Sequence, residues 1–151
     1  MSIRHLSAVL VLCMIASACS SPTSPTQSTL AFTITPNPVP SAGVTLGCAG
    51  AVVPEKSWFY TLSIQNSSSV PFVVASFSAS VTPPGTSTPI VTPYDASLFA
   101  AAFGSSTVPA QGALQGPLCV RGHYDSASLT WTFVGASGNG TFTTPVIRFL
   151  P

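Results

Sequence analysis

In residues 57–65 (SWFYTLSIQ), large apolar side chains fall at every second position: Trp58, Tyr60, Leu62 and Ile64 alternate with Phe59, Thr61, Ser63 and Gln65. Only an extended strand puts such a set on one face, because successive side chains of a strand point to opposite sides. The period recurs in residues 30–34 (LAFTI), in residues 44–48 (VTLGC) and in Leu129, Trp131 and Phe133. It predicts one face carrying Val73, Ala75, Phe77, Ala79 and Val81, with Ser76, Ser78 and Ser80 opposite. Breakers separate the runs: Pro36-Asn37-Pro38-Val39-Pro40, Asn66-Ser67-Ser68-Ser69 and Pro83-Pro84-Gly85, after which the chain up to Pro93 reads as loop or weak edge. Gly138-Asn139-Gly140 turns into residues 141–149 as a closing hairpin. One run departs from the alternation: residues 97–103 (SLFAAAF) read as a strand or a single helical turn. About seven short strands over residues 30–151 predict one all-β domain, an antiparallel β-sandwich or barrel.

Charge is scarce. Only 5% of the residues are Asp, Glu, Lys or Arg, against about 25% in an average globular protein. Beyond Arg4, Lys56, Arg121 and Arg148 are matched by Glu55, Asp95 and Asp125. A nucleic-acid partner is excluded, because neutralising phosphates needs clustered Lys and Arg. Disorder throughout is equally excluded, since 46% of the residues are hydrophobic. Ser and Thr on the polar strand faces keep such a surface hydrated at little desolvation cost.

The N-terminus reads as an export signal. Arg4 and His5 precede an apolar run of ten, residues 6–15 (LSAVLVLCMI), and then Ala16-Ser17-Ala18 before Cys19. The run is too short to span a bilayer, which takes about 20 apolar residues. Ile15-Ala16-Ser17-Ala18-Cys19 resembles the lipobox of bacterial lipoprotein precursors, departing from it at Ala16, where leucine is usual. The resemblance implies a diacylglyceryl group on Cys19, removal of residues 1–18 and a membrane partner through the lipid. Ala16-x-Ala18 also suits the ordinary signal peptidase, which would release a soluble secreted protein. In a Gram-negative envelope, Ser20 after the cysteine resembles cargo sent to the outer membrane. Residues 20–29 (SSPTSPTQST) carry neither charge nor a large apolar side chain, so residues 19–29 form a hydrated tether. In polyproline geometry ten residues reach roughly 30 Å.

With Cys13 lost in the signal and Cys19 lipidated, Cys48 and Cys119 remain for one disulfide in an oxidising compartment. The order Cys48, Trp58, Cys119 loosely resembles an immunoglobulin domain, implying an immunoglobulin-like sandwich. The tyrosine that such domains carry two residues before the second cysteine is replaced here by Pro117.

Candidate chemistry is thin. The mature chain holds a single histidine, His123, two residues from Asp125, and residues 135–139 (GASGN) miss the G-x-S-x-G elbow at the last position. Three scattered carboxylates offer no glycosidase pair. Cys119 with His123 is too few ligands for zinc, and no Asp-rich loop suits calcium. No catalytic residue, metal or cofactor is therefore assigned. Arg121, His123, Tyr124 and Asp125 form the densest polar cluster, read either as a recognition loop or as a turn closed by an Arg121–Asp125 ion pair. Trp58, Tyr60 and Trp131 suit a sugar platform, but their alternation places them in the core first. Asn66 and Asn139 open sequon-like triplets and are read as turn residues. The leading expectation is a non-enzymatic, lipid-anchored envelope protein whose domain has a structural or protein-interaction role, with an envelope protein or glycan as partner. A carbohydrate- or small-ligand-binding module is the alternative, and a secreted hydrolase a distant third.

Overall fold

The computed structural model describes residues 29–42 and 56–151. The export signal, Cys19, Cys48 and the strand expected at residues 44–48 lie outside the described residues. The described chain is all-β apart from one short helix, and both of its sheets are antiparallel. One sheet has three strands: β1 (Leu30–Thr35), β2 (Lys56–Asn66) and β6 (Ala113–Gly122), in the order β1-β2-β6. The other runs β4 (Ile90–Asp95), β3 (Phe72–Thr82), β7 (Ala127–Gly135), β8 (Thr141–Thr143). To it are added β5 (Thr107–Val108), paired with β3, and β9 (Ile147–Phe149), paired with β7.

The expected seven strands are thus nine among the described residues. The alternation does not mark β4, β5 or β6, and the closing strand that it does mark is split into β8 and β9. The two-residue β5 is too brief to show a period. The closing hairpin returns along β7 in two parts, because Pro145 has no N–H to give the ladder. At that break the Thr144 N–H donates to the Trp131 carbonyl (2.9 Å), and the Trp131 N–H donates to Thr144 Oγ1 (3.0 Å). A side-chain hydroxyl thereby takes the place of a backbone acceptor.

Alternation in β2 and β7 sets Trp58, Tyr60, Leu62, Ile64, Leu129, Trp131 and Phe133 into one core. Burying each large side chain contributes about 1.5–3 kcal/mol. Aromatic rings join the sheets: Phe32 of β1 stacks on Phe133 of β7 (5.6 Å), and Trp58 of β2 on Phe149 of β9 (5.0 Å). The single face predicted for β3 is wrong over its first half. Phe72 and Val74 are buried, whereas Val73 and Ala75 point outward. A β-bulge between Val74 and Ser76 inserts one residue against β7, so Phe77, Ala79 and Val81 turn inward after it.

Residues 97–103 belong to a helix of eight residues, α1 (Ala96–Phe103). Asp95 caps its start, accepting from the Ser97 and Leu98 N–H groups, and Gly104 ends it at φ 77°, a left-handed conformation natural to glycine. Phe99 and Phe103, one turn apart, are buried.

The two flanks of the sheet pair differ. On one, the chain after β1 ties both sheets together. Val39 N–H donates to the Arg148 carbonyl (2.7 Å), Leu150 N–H to the Val39 carbonyl (2.9 Å) and Ala42 N–H to the Ser57 carbonyl (2.8 Å). Trp58 Nε1 adds a bond to the Leu150 carbonyl (2.8 Å). On the other flank the edge strands β4 and β6 are not paired with each other, and α1 packs against both.

Candidate functional site

The unpaired flank is where a site forms. Gly116 of β6 lets α1 fill half of it, since a Cβ there would sit 2.7 Å from the Ala102 carbonyl oxygen and 2.9 Å from Phe103 Cδ1. Beyond the helix the gap stays open as a cleft of about 430 Å³. Its origin is local. Thr92, Ala79 and Trp131 stand in one register row across β4, β3 and β7, and the small Ala79 leaves room between its larger neighbours. Ala79 and Trp131 are the most buried of the lining residues, Val81, Val120 and Tyr94 are partly buried, and Thr92 and Arg121 are exposed at the mouth.

The aromatic wall is rigid. The Tyr94 ring stacks on Phe77 at 5.0 Å and lies 5.9 Å from Trp131. Behind it, Trp131 Nε1 donates to the Tyr60 hydroxyl at 2.8 Å, joining β7 to β2 through the core. Burial pushes the Tyr60 phenol well above its ordinary range; the Trp131 bond opposes that shift and nearby Tyr94 adds to it. Among the lining residues only Arg121 carries a formal charge. Arg121 is already engaged within the protein, and its fork of five donors can serve more than one acceptor.

The polar cluster read from the sequence is divided. Arg121 ends β6 and lines the cleft, while His123, Tyr124 and Asp125 occupy the turn into β7. The ion pair expected between Arg121 and Asp125 is not the one formed: Lys56 Nζ meets Asp125 Oδ1 at 2.8 Å. That lysine, by hydrogen bond and by charge, holds the Asp125 carboxyl below its usual range. The geometric cause is the strand end. Lys56 is the register partner of Gly122, so its ammonium stands beside the turn. The Tyr124 ring packs over Gly122, where a Cβ would approach it to 3.0 Å. His123 and Asp125 therefore sit in an exposed turn and not on a strand face.

Cys119 is disulfide-bonded; the partner proposed for it, Cys48, lies outside the described residues. Cys119 is the register partner of the exposed Phe59, whereas the core residues Trp58 and Tyr60 register with Val120 and Leu118. The bond thus leaves the sheet from a different row than the one packed between the layers, unlike the inter-sheet disulfide of antibody domains. Trp58, Tyr60 and Trp131 are core side chains. Asn66 is a buried turn residue, donating to the Val70 carbonyl (2.7 Å) and accepting from Ser68 N–H (3.0 Å). Among the described residues no three His, Cys, Asp or Glu side chains gather as a metal site. A second, more open groove of about 400 Å³ lies at the far end of β3 and β9, lined by Pro83, Pro84, Ser126 and Arg148. It lacks an aromatic wall comparable to that of the first.

Sequence reasoning missed Thr92 and Tyr94. Their alternation in IVTPYD was present, but Pro93 demoted the segment to a loop or weak edge.

No family model matches the chain, and neither does any curated protein. Solved structures do resemble it. A Northeast Structural Genomics Consortium target, SoR45, is 13% identical with a TM-score of 0.56, over 80% of this chain and 85% of that one. The Bordetella pertussis protein provisionally named ApaA is 16% identical with a TM-score of 0.54, over 83% of this chain and 97% of that one. At such identities the likeness is one of fold alone.

Proposed function

We propose that this chain is a lipid-anchored protein of the bacterial cell envelope, with the outer membrane as its destination in a Gram-negative cell. In this reading Cys19 carries the lipid, residues 19–29 hold the domain off the membrane, and residues 30–151 form an immunoglobulin-like sandwich with a non-enzymatic interaction role. The observation that carries it is the position of the first described strand. β1 starts at Leu30, directly after the Ser/Thr/Pro stretch, and its entry is pinned by Ser67 N–H donating to the Thr29 carbonyl (3.0 Å). A domain that starts where a hydrated stalk stops is what a tethered protein requires. Two acyl chains on one cysteine supply the double hydrophobic anchor that stable attachment takes. The sandwich reading draws on the two layers and their shared core, and not on the Cys-Trp-Cys order. The proposed Cys48–Cys119 bond belongs to the same exported setting.

Expression of the full chain in a bacterial host tests the anchor. The wild type should enter the detergent phase of a Triton X-114 extraction, and Cys19→Ala should move to the aqueous phase. A Cys19→Ala protein that still enters the detergent phase refutes lipid anchoring through this residue.

The cleft between β4 and β6 favours a second reading, a small-ligand-binding module on the same scaffold. Its volume lies within the range of ligand sites, roughly 300–1,000 Å³.

A further inference from the structure

We propose that Asn139 is a self-modifying site, at which the main-chain nitrogen of Gly140 converts the side-chain amide to aspartate and isoaspartate. The reaction asks three things: an N–H on the following residue, freedom for that nitrogen to reach the side chain, and water. The chain has three asparagines, Asn37, Asn66 and Asn139. Asn37 precedes Pro38, whose nitrogen has no hydrogen to lose. Asn66 precedes Ser67, but every group there is held. The Ser67 N–H donates to the Thr29 carbonyl (3.0 Å), Asn66 Nδ2 to the Val70 carbonyl (2.7 Å) and the Ser68 N–H to Asn66 Oδ1 (3.0 Å). Asn66 is also fully buried.

Asn139 meets all three conditions. Gly140 has no side chain to obstruct the approach, and at φ 98° it holds a conformation that glycine enters and leaves freely. No partner among the described residues takes its N–H. The Asn139 amide makes one long hydrogen bond, from Nδ2 to the Pro71 carbonyl at 3.5 Å. Ser137 and Gly138 beside it are exposed, so water reaches the turn.

The Gly140 nitrogen gives its proton to base and attacks Cγ of Asn139. The N–Cγ bond forms, the Cγ–Nδ2 bond breaks, and the amide leaves as ammonia, closing a five-membered imide. Water then opens the ring. Attack at Cγ restores the main chain with an aspartate; attack at the main-chain carbonyl carbon of Asn139 leaves the chain running through the side chain as isoaspartate. One water enters and one ammonia departs, with no oxidant, reductant or cofactor. The product adds a carboxylate to a chain only 5% charged. It does so at the end of the domain where β1 begins, formed by residues 64–74, 104–115 and 135–143, which contain no Asp, Glu, Lys, Arg or His. Isoaspartate also adds a carbon to the main chain inside the turn that the Gly135 N–H closes on the Gly140 carbonyl (2.8 Å).

The test ages the full chain carrying Cys19→Ala in warm buffers of rising pH, then reduces it, digests it with trypsin and weighs the peptides. Cleavage at Lys56, Arg121 and Arg148 gives each asparagine a peptide of its own, with Asn139 in residues 122–148. That peptide should gain the mass difference between water taken up and ammonia lost. It should split into two products on chromatography, aspartate and isoaspartate, at a rate that rises with pH. The peptide of residues 57–121, which carries Asn66, should change at least about tenfold more slowly, because its held groups must first open. Asn139→Gln should abolish the gain, since ring closure through the longer side chain is far slower. A folded protein whose 122–148 peptide stays unchanged while a guanidinium-unfolded sample converts overturns the proposal. So does an Asn66 peptide that converts as fast, or a gain that persists in Asn139→Gln.

Discussion

Replacing Tyr60 with Phe removes one oxygen atom and, with it, the polar bond between the two sheets. The Trp131 Nε1–H that donates to that oxygen at 2.8 Å is deep in the core, where Trp131 is 6% exposed and Tyr60 3%. With both residues almost wholly shielded from solvent, the lost acceptor is not readily replaced. An intact neutral hydrogen bond contributes about 1 kcal/mol net, but a buried donor left without a partner costs about 1–3 kcal/mol. Ring volume is almost unchanged, so no cavity cost is added. We expect Tyr60→Phe to lower stability by about 2 kcal/mol, a fall in thermal midpoint on the order of 10 °C for a domain of this size. Denaturant titration read by tryptophan fluorescence and calorimetry both measure it. Tyr94→Phe, half-buried on the cleft wall, is the control and should stay within about 0.5 kcal/mol. The alkaline limb adds a second signature. Burial raises the Tyr60 phenol above its ordinary value of 10, so the folded protein keeps the proton after the unfolded chain has begun to lose it. The contribution is whole below pH 10 and is lost as the pH climbs above it, and Tyr60→Phe should lack this part of the decline. A Tyr60→Phe protein within 0.5 kcal/mol of wild type, with an unaltered alkaline limb, would refute the account of the polar bond.

Gly116→Ala should destabilise by about 1–3 kcal/mol, because its Cβ meets the Ala102 carbonyl at 2.7 Å and backbone cannot swing aside; a neutral result in denaturant titration would deny that α1 seats on β6 there. Asp95→Ala should lower the thermal midpoint at neutral pH. Its carboxyl is held below the ordinary 3.8 chiefly by the Ser97 hydroxyl, then by Leu98 N–H, so the capping contribution is present above that value and fades as the pH falls beneath it. The two proteins should therefore converge in acid, and a gap that widens there contradicts the capping role. If Cys48 is the partner of Cys119, the bond closes a loop of about 72 residues and Cys48→Ser should cost up to roughly 4 kcal/mol on the chain-entropy account. Peptide mapping without reduction should recover the two cysteines linked, and a map joining Cys119 to another cysteine dismisses the pairing.

Long alternating strands were legible because their neighbours are adjacent in sequence. In β2 and β7 the side chains that point inward are those the period selects, from Trp58 to Phe133. β3 misled for a physical reason: a period of two, once read across residue 75, cannot register the extra residue that the bulge absorbs. The helix had its signals in Asp95 before and Gly104 after the run, yet two turns of Ala and Phe show too little of a 3.6-residue period to outweigh the prolines around them. The cleft was not legible at all. Thr92, Ala79, Val120 and Trp131 come from four strands, and only the failure of β4 and β6 to pair makes a wall of each. The division of the polar cluster likewise depended on Lys56, distant in sequence but across the strand from Gly122.

The difference between the two flanks bears on how the molecule moves. Residues 39–42 act as a spine of main-chain bonds, whereas on the fore-edge beside α1 the described strands β4 and β6 do not pair with each other. Brief partial openings start where the fewest backbone bonds must break, so the layers part from the fore-edge like the pages of a bound book. Amides of β4 and α1 should then exchange with solvent deuterium sooner than those of Val39 and Leu150, and the same parting widens the door to the Tyr94 pocket for a visitor larger than the resting gap.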